Sequence, residues 1–143
     1  MGSEMCIRDR SNVAVDEVGT RVAQEVRNQL AFRLHRGGAA PASPEYRVAL
    51  KVSPSVTALA TVDRLDEDGG RPSARRLSVR ATYTLIKTDG NETIASGKRV
   101  AAASYDLTGQ RYASARARID AENRAAREVA ESVYLAIAAK LAQ

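Results

Sequence analysis

The clearest regularity in the chain is an alternation of period two. Leu77, Val79, Ala81, Tyr83 and Leu85 fall on one side of a segment, and Ser78, Arg80, Thr82, Thr84 and Ile86 fall on the other. That pattern predicts a strand with one face in a core. Asp89-Gly90-Asn91 follows, a turn sequence suited to a hairpin, and a further strand is expected from about Thr93 to Asp106. Its run from Val100 to Ala103 is rich in alanine, so another element must approach it closely. Upstream, Tyr46, Val48, Leu50 and Val52 alternate with Arg47, Ala49, Lys51 and Ser53. Pro54 should interrupt this strand at a bulge or an edge, because proline donates no ladder hydrogen bond. Val56, Ala58, Ala60 and Val62 then resume the alternation.

Two other stretches repeat at helical spacing. Val18, Val22, Val26 and Leu30 predict an amphipathic helix that starts between Asp16 and Thr20 and stops at Gly37-Gly38. A second, much longer helix is expected from about Tyr112 to Leu141, roughly 45 Å at 1.5 Å per residue. Its buried stripe reads Ile119, Ala126, Val129, Val133, Ile137 and Leu141. Arg116, Asp120, Arg124, Arg127 and Glu131 make a charged face, with Asp120–Arg124 and Arg127–Glu131 spaced for i,i+4 pairing. Asn12 to Val15 reads as the stump of a preceding strand. The expected fold is therefore α+β: a helix, a three-strand antiparallel meander and a long C-terminal helix in a two-layer sandwich. Residues 1–11 stand apart, since Met1 to Arg10 is polar and without period. They read as a disordered segment foreign to the domain, of the kind that adapter-derived translation adds, with residues 12–143 as a single domain.

Composition narrows the picture. A chain of 143 residues suits one core, and with no Trp and one Phe that core must be aliphatic, with help from Tyr. A single Cys rules out an intrachain disulfide framework. No run approaches the ~20 apolar residues of a membrane-spanning helix, and the first ten residues lack the apolar stretch of a signal peptide. The formal net charge of +5 permits anionic partners without selecting one.

The search for catalytic chemistry finds none. His35, the lone histidine, lies in the last turn of the first helix, where a cation complements the helix dipole, and no nucleophile accompanies it. Asp63, Asp66, Glu67 and Asp68 do not have calcium-loop spacing, and no glycine-rich phosphate loop is present. No cofactor or metal is expected. Asn91-Glu92-Thr93 matches a glycosylation sequon, a pattern too short to carry weight. The basic residues around the strand turns have more content: Arg64, Arg71, Arg75 and Arg76, with Lys98 and Arg99 on the later strand. Guanidinium groups pair bidentately with phosphate, so such a cluster at one end of a sheet suits a phosphorylated ligand; it equally suits a solvated edge whose cations discourage strand addition.

Several segments in this order carry a resemblance. They are Arg27-Asn28-Gln29-Leu30, Tyr46 to Leu50, Ala81 to Leu85, and above all Ala103-Ser104-Tyr105 through Tyr112-Ala113 to the run from Asp120 to Glu131. From about Val13 to Leu141 the chain resembles the LptE family of lipopolysaccharide-assembly lipoproteins, particularly its alphaproteobacterial branch. The resemblance implies two helices on a four-stranded sheet and a non-enzymatic protein. It implies a lipid-anchored member of the outer membrane, facing the periplasm and seated as a plug in the LptD barrel, where it assists barrel assembly and binds lipopolysaccharide. The signal peptide, the lipidated cysteine and most of a first strand are not in this chain, which predicts an unpaired sheet edge. By resemblance, the ligand-binding basic residues fall at Arg64 in the turn and Arg127 on the long helix, with Arg71, Arg75 or Arg76 as alternatives to Arg64. Two other readings remain. One is an auxiliary periplasmic lipoprotein of another transport or secretion system. The other is RNA binding, disfavoured because the sheet lacks paired aromatics for base stacking.

Overall fold

The computed structural model describes residues 12–59, 74–107 and 110–142. Six elements follow one another: β1 (Val13–Val15), α1 (Arg21–His35), β2 (Tyr46–Leu59), β3 (Ala74–Lys87), β4 (Glu92–Asp106) and α2 (Arg111–Leu141). The strands form one mixed sheet in the order β1-β2-β3-β4. β1 runs parallel to β2, while β2, β3 and β4 form the antiparallel meander. The α+β two-layer reading holds, with a fourth, three-residue strand added to it. Both helices lie on one face of the sheet, α1 against β1 and β2, and α2 against β3 and β4.

Local chemistry explains the element ends. Thr20 caps α1, its Oγ1 accepting from the Ala23 N–H at 3.2 Å. The helix closes through Arg36 in the left-handed region (φ 53°), and the Gly37 N–H donates to the Phe32 carbonyl at 3.0 Å. His35 uses its position in the last turn to bond the Val13 carbonyl through Nε2 at 2.6 Å, tying α1 to β1. Asp16, just after β1, holds three elements together. Its N–H donates to the Val48 carbonyl, its carbonyl accepts from Arg27 Nε, and its carboxylate accepts from Arg47 Nη1 at 2.7 Å. The β3–β4 hairpin turns through Gly90 and Asn91, both at positive φ.

The core is aliphatic. Val13, Val26, Leu30, Val48, Leu77, Val79, Leu85, Val129 and Val133 are fully buried, with Tyr83 nearly so. Burial of each such side chain contributes on the order of 1.5–3 kcal/mol. The close approach expected of the alanine-rich strand is met by alanines on the other side. Ala121, Ala125, Ala126 and Ala130 of α2 are buried in the same cluster as Ala101, with Ala103 packed against it.

Some expectations change. Pro54 does not interrupt β2, which runs unbroken with Pro54 opposite Val79. Among the described residues β1 pairs only with Tyr46, Arg47 and Val48, so Pro54 has no described strand beside it on that side, and proline is tolerated at such an edge. Ile119 is 46% exposed rather than part of the buried stripe, and Leu141 is only half-buried. The first turns of α2 carry the helical period of the core-facing part but extend past what it packs on. Asp120–Arg124 pairs as expected at 3.2 Å, whereas Arg127–Glu131 is not among the ion pairs of the described residues. The polar turn expected at Asp63 to Ala74 lies outside the described residues up to 73.

One buried charge went unanticipated. Glu122 is 9% exposed on the packed face of α2, and its Oε1 accepts from Arg21 Nη2 at 2.6 Å. Arg21 Nη1 also donates to Asn123 Oδ1 at 3.3 Å, so the first residue of α1 is clamped to the middle of α2. Glu122→Gln should keep the shape and weaken a charge-assisted bond, lowering unfolding free energy by about 1–2 kcal/mol in urea titration. A change under about 0.3 kcal/mol would mean that the clamp contributes nothing to stability.

Candidate functional site

The sequence-predicted basic residues separate in space. Arg64 and Arg71 lie outside the described residues. Arg75 and Arg76 are neighbours on β3 and therefore point to opposite faces of the sheet. Arg75 takes the helix-facing side, half-buried and opposite Tyr105 on β4; Arg76 takes the outer face, exposed and opposite Ser104. Arg127 is exposed on α2 and makes no ion pair among the described residues.

The helix arginine that reaches the sheet is Arg124, one turn before Arg127. Its Nη2 donates to the Ser104 carbonyl at 3.1 Å, and its Nε donates to Asp120 Oδ2 at 3.2 Å. Ser104 stands directly across from Arg76, but Arg76 lies on the outer face of the sheet while Arg124 reaches the Ser104 carbonyl from the helix side. Tyr105, the next residue, faces Arg75. On the helix-facing side Arg75 and Arg124 thus approach Ser104-Tyr105, where β3 begins and β4 ends, while Arg76 occupies the outer face at the same level. Sequence reasoning placed Arg124 on the charged face of the helix but did not single it out. Its only signal was Asp120 four residues earlier, a partner that orients the guanidinium along the helix.

At the same end, the first turns of α2 line an open groove of about 850 Å³ whose wall includes Tyr112, Ala113, Ala117 and Ile119, with Arg116 and Asp120 beside them. Tyr112 is 77% exposed. This end therefore offers an apolar strip alongside guanidinium groups, a combination that suits an amphiphile bearing negative charge.

The remaining basic residues of the later strand have other places. Arg99 lies over the Tyr83 ring at 5.9 Å and donates to the Lys98 carbonyl, while Lys98 is exposed on the outer face. Among the described residues no group of His, Cys, Asp and Glu could hold a metal ion, and no helix is long and apolar enough to cross a membrane.

Comparison with known proteins adds a family and a fold. Residues 7–137 match the family model LptE, described as lipopolysaccharide-assembly. No curated protein sequence matches the chain. Solved structures do. A protein of Caulobacter crescentus described as a lipoprotein aligns with a TM-score of 0.77 at 23% identity, covering 99% of this chain and 98% of that one. A minor lipoprotein of Acinetobacter baumannii aligns with a TM-score of 0.69 at 13% identity, covering 89% and 90%. The rare lipoprotein B of Shewanella oneidensis aligns with a TM-score of 0.61 at 14% identity, covering 89% and 92%. At these identities the structural likeness speaks for the fold.

Proposed function

The chain belongs to the LptE lipopolysaccharide-assembly family, and from that premise we propose that it is a non-enzymatic lipopolysaccharide-binding partner of an LptD-type outer-membrane barrel. The observation that carries this reading is the family match over residues 7–137. In this reading the native protein is lipid-anchored to the outer membrane and faces the periplasm. It plugs the barrel, assists the barrel's assembly and engages lipopolysaccharide on its way to the cell surface.

The basic end of the molecule supports the ligand half of the proposal. Lipid A presents phosphates on an acylated sugar; Arg75 and Arg124 approach Ser104-Tyr105 on the helix-facing side, and Arg116 lines the groove walled by Tyr112 and Ile119. Guanidinium forks bind phosphate through charge-assisted hydrogen bonds, each contributing roughly 1.5–3 kcal/mol. Arg127 and Arg64 keep the roles that the family resemblance gives them. Arg127 lies one turn from Arg124, and both side chains are on the exposed part of α2.

The test is a binding titration with purified lipopolysaccharide. Arg75→Ala with Arg124→Ala should weaken binding about tenfold or more while leaving the thermal melt within a few degrees of the parent. Arg64→Ala with Arg127→Ala should also weaken it. Unchanged affinity in both double variants would remove the basic end as the site. Failure of the full-length protein to co-purify with its LptD-type barrel would remove the partnership.

A further inference from the structure

We propose that the outer face of the sheet, opposite the helices, is a docking surface for a carboxylate-bearing protein wall, and that it seats the protein against the barrel partner proposed above. The inference rests on that reading and names the face through which the two would meet.

The argument is one of charge segregation. Strand pairing aligns the outward residues in rows across β2, β3 and β4: Arg47–Ile86–Thr93 at one end, then Lys51–Thr82–Lys98 and Ser53–Arg80–Val100, then Thr57–Arg76–Ser104 at the other. Between those end rows no position is Asp or Glu. The acids of these strands stand at their ends, Glu92 beside the hairpin and Asp106 one row beyond Ser104. Of the cations, Arg47 is paired with Asp16, whereas Lys51, Arg80 and Lys98 are exposed and have no ion-pair partner among the described residues. Ser and Thr fill most of the space between them.

A face kept only for solubility would intersperse both signs. Cations that merely guard against strand addition belong on edge strands, yet Arg80 stands on β3, which has a neighbour on each side. The geometry also selects the partner. Lys51 and Lys98 flank Thr82 at about 10 Å from each other, two strand spacings, and Arg80 lies about 7 Å along β3 from their row. The cations are spread over a broad surface, and the two described cavities are lined by residues of the helices and of the segment leading into α1. A small anion would need a concave site. No aromatic side chain stands in these rows to stack on bases or to enter a lipid interface. Short hydroxyls between fixed cations suit a polar protein wall instead. They lose little entropy when ordered and can both donate and accept. The lumen of an outer-membrane barrel is such a polar wall.

The test uses the full-length protein and its purified barrel in detergent. Lys51→Glu, Arg80→Glu and Lys98→Glu together should weaken association about 100-fold. The milder Lys51→Gln, Arg80→Gln and Lys98→Gln set should weaken it less and flatten its dependence on salt between about 0.05 and 0.5 M. Both sets should keep the parent's thermal melt, because these side chains are exposed. Wild-type and Gln variant binding the barrel equally, with the same salt dependence, would overturn the inference while leaving the barrel partnership intact. A wild-type protein that never binds the barrel would overturn both. Wild-type binding to phosphatidylglycerol vesicles that disappears in the Glu set, with barrel association unchanged, would assign the face to a lipid surface and overturn the inference.

Discussion

Leu30→Ala is expected to lower the unfolding free energy by about 3 kcal/mol, shifting the urea midpoint with no change in slope. Leu30 is fully buried on α1 and belongs to the cluster that joins both helices to the sheet. α1 has only 15 residues, and a free helix of that length is marginal in water. Its stability comes from the stripe of Val22, Val26, Leu30 and Leu34, of which Leu30 and Leu34 are the largest members. Truncation removes both the transfer free energy and the contacts of the removed atoms, and neighbours anchored on strands relax only in part. A loss under about 1 kcal/mol would mean that α1 does not depend on this seam.

Gly97→Val should cost about 2–3 kcal/mol, the second-largest effect, although valine is otherwise favoured in strands. Gly97 faces Tyr83 across the β3–β4 pair, and the tyrosine ring lies over it. A Cβ at position 97 would stand 2.9 Å from Tyr83 Oη and 3.1 Å from two ring carbons. Tyr83 is 6% exposed and has Arg99 over its ring, so it cannot swing away without disturbing the core face of β3. The interference should be partly relieved in Gly97→Ala combined with Tyr83→Phe, which removes the nearest oxygen. A double-mutant cycle of thermal or urea melts would show that coupling as non-additivity; simple addition would mean that the two residues do not meet.

How much of this could be read in advance depended on the period each element carries. β3 was legible throughout because its alternation is strict and both of its neighbours are present. The β4 alanines announced a close approach, but not that Ala121, Ala125, Ala126 and Ala130 of α2 would make it. β1 was legible only as a stump: three residues carry too little pattern to reveal a partner, and nothing in Val13–Val15 says that it runs parallel to β2. Ile119 misled because a helix keeps its 3.6-residue period after the surface it packs on has ended. Glu122 was missed because an acid near the stripe reads as solvated until Arg21, about a hundred residues earlier, is brought to it by tertiary packing.

For the candidate site, the alternation of strands already separates Arg75 from Arg76, a distinction that clustering by sequence proximity obscures. The choice of Arg124 over Arg127 as the residue touching the sheet needed the angle at which α2 crosses β4, which no sequence pattern encodes. The cation-only outer face lay in the same alternation that revealed the core. It became visible only once strand register placed Lys51, Arg80 and Lys98 in adjacent rows.

The strand order β1-β2-β3-β4 repeats the order of synthesis, so each strand docks beside the one made just before it. Loop closure is cheap for such a sheet, and the β3–β4 hairpin can form in microseconds. The cover arrives last, because α2 is the final 31-residue element and supplies Val129, Val133 and Ile137 to the core. A growing chain that has not reached Arg111 therefore presents Leu77, Val79 and Leu85 as a half-lidded greasy surface. The interval between the last strand and the closing helix is the period in which this protein most needs a chaperone and is most readily lost to aggregation.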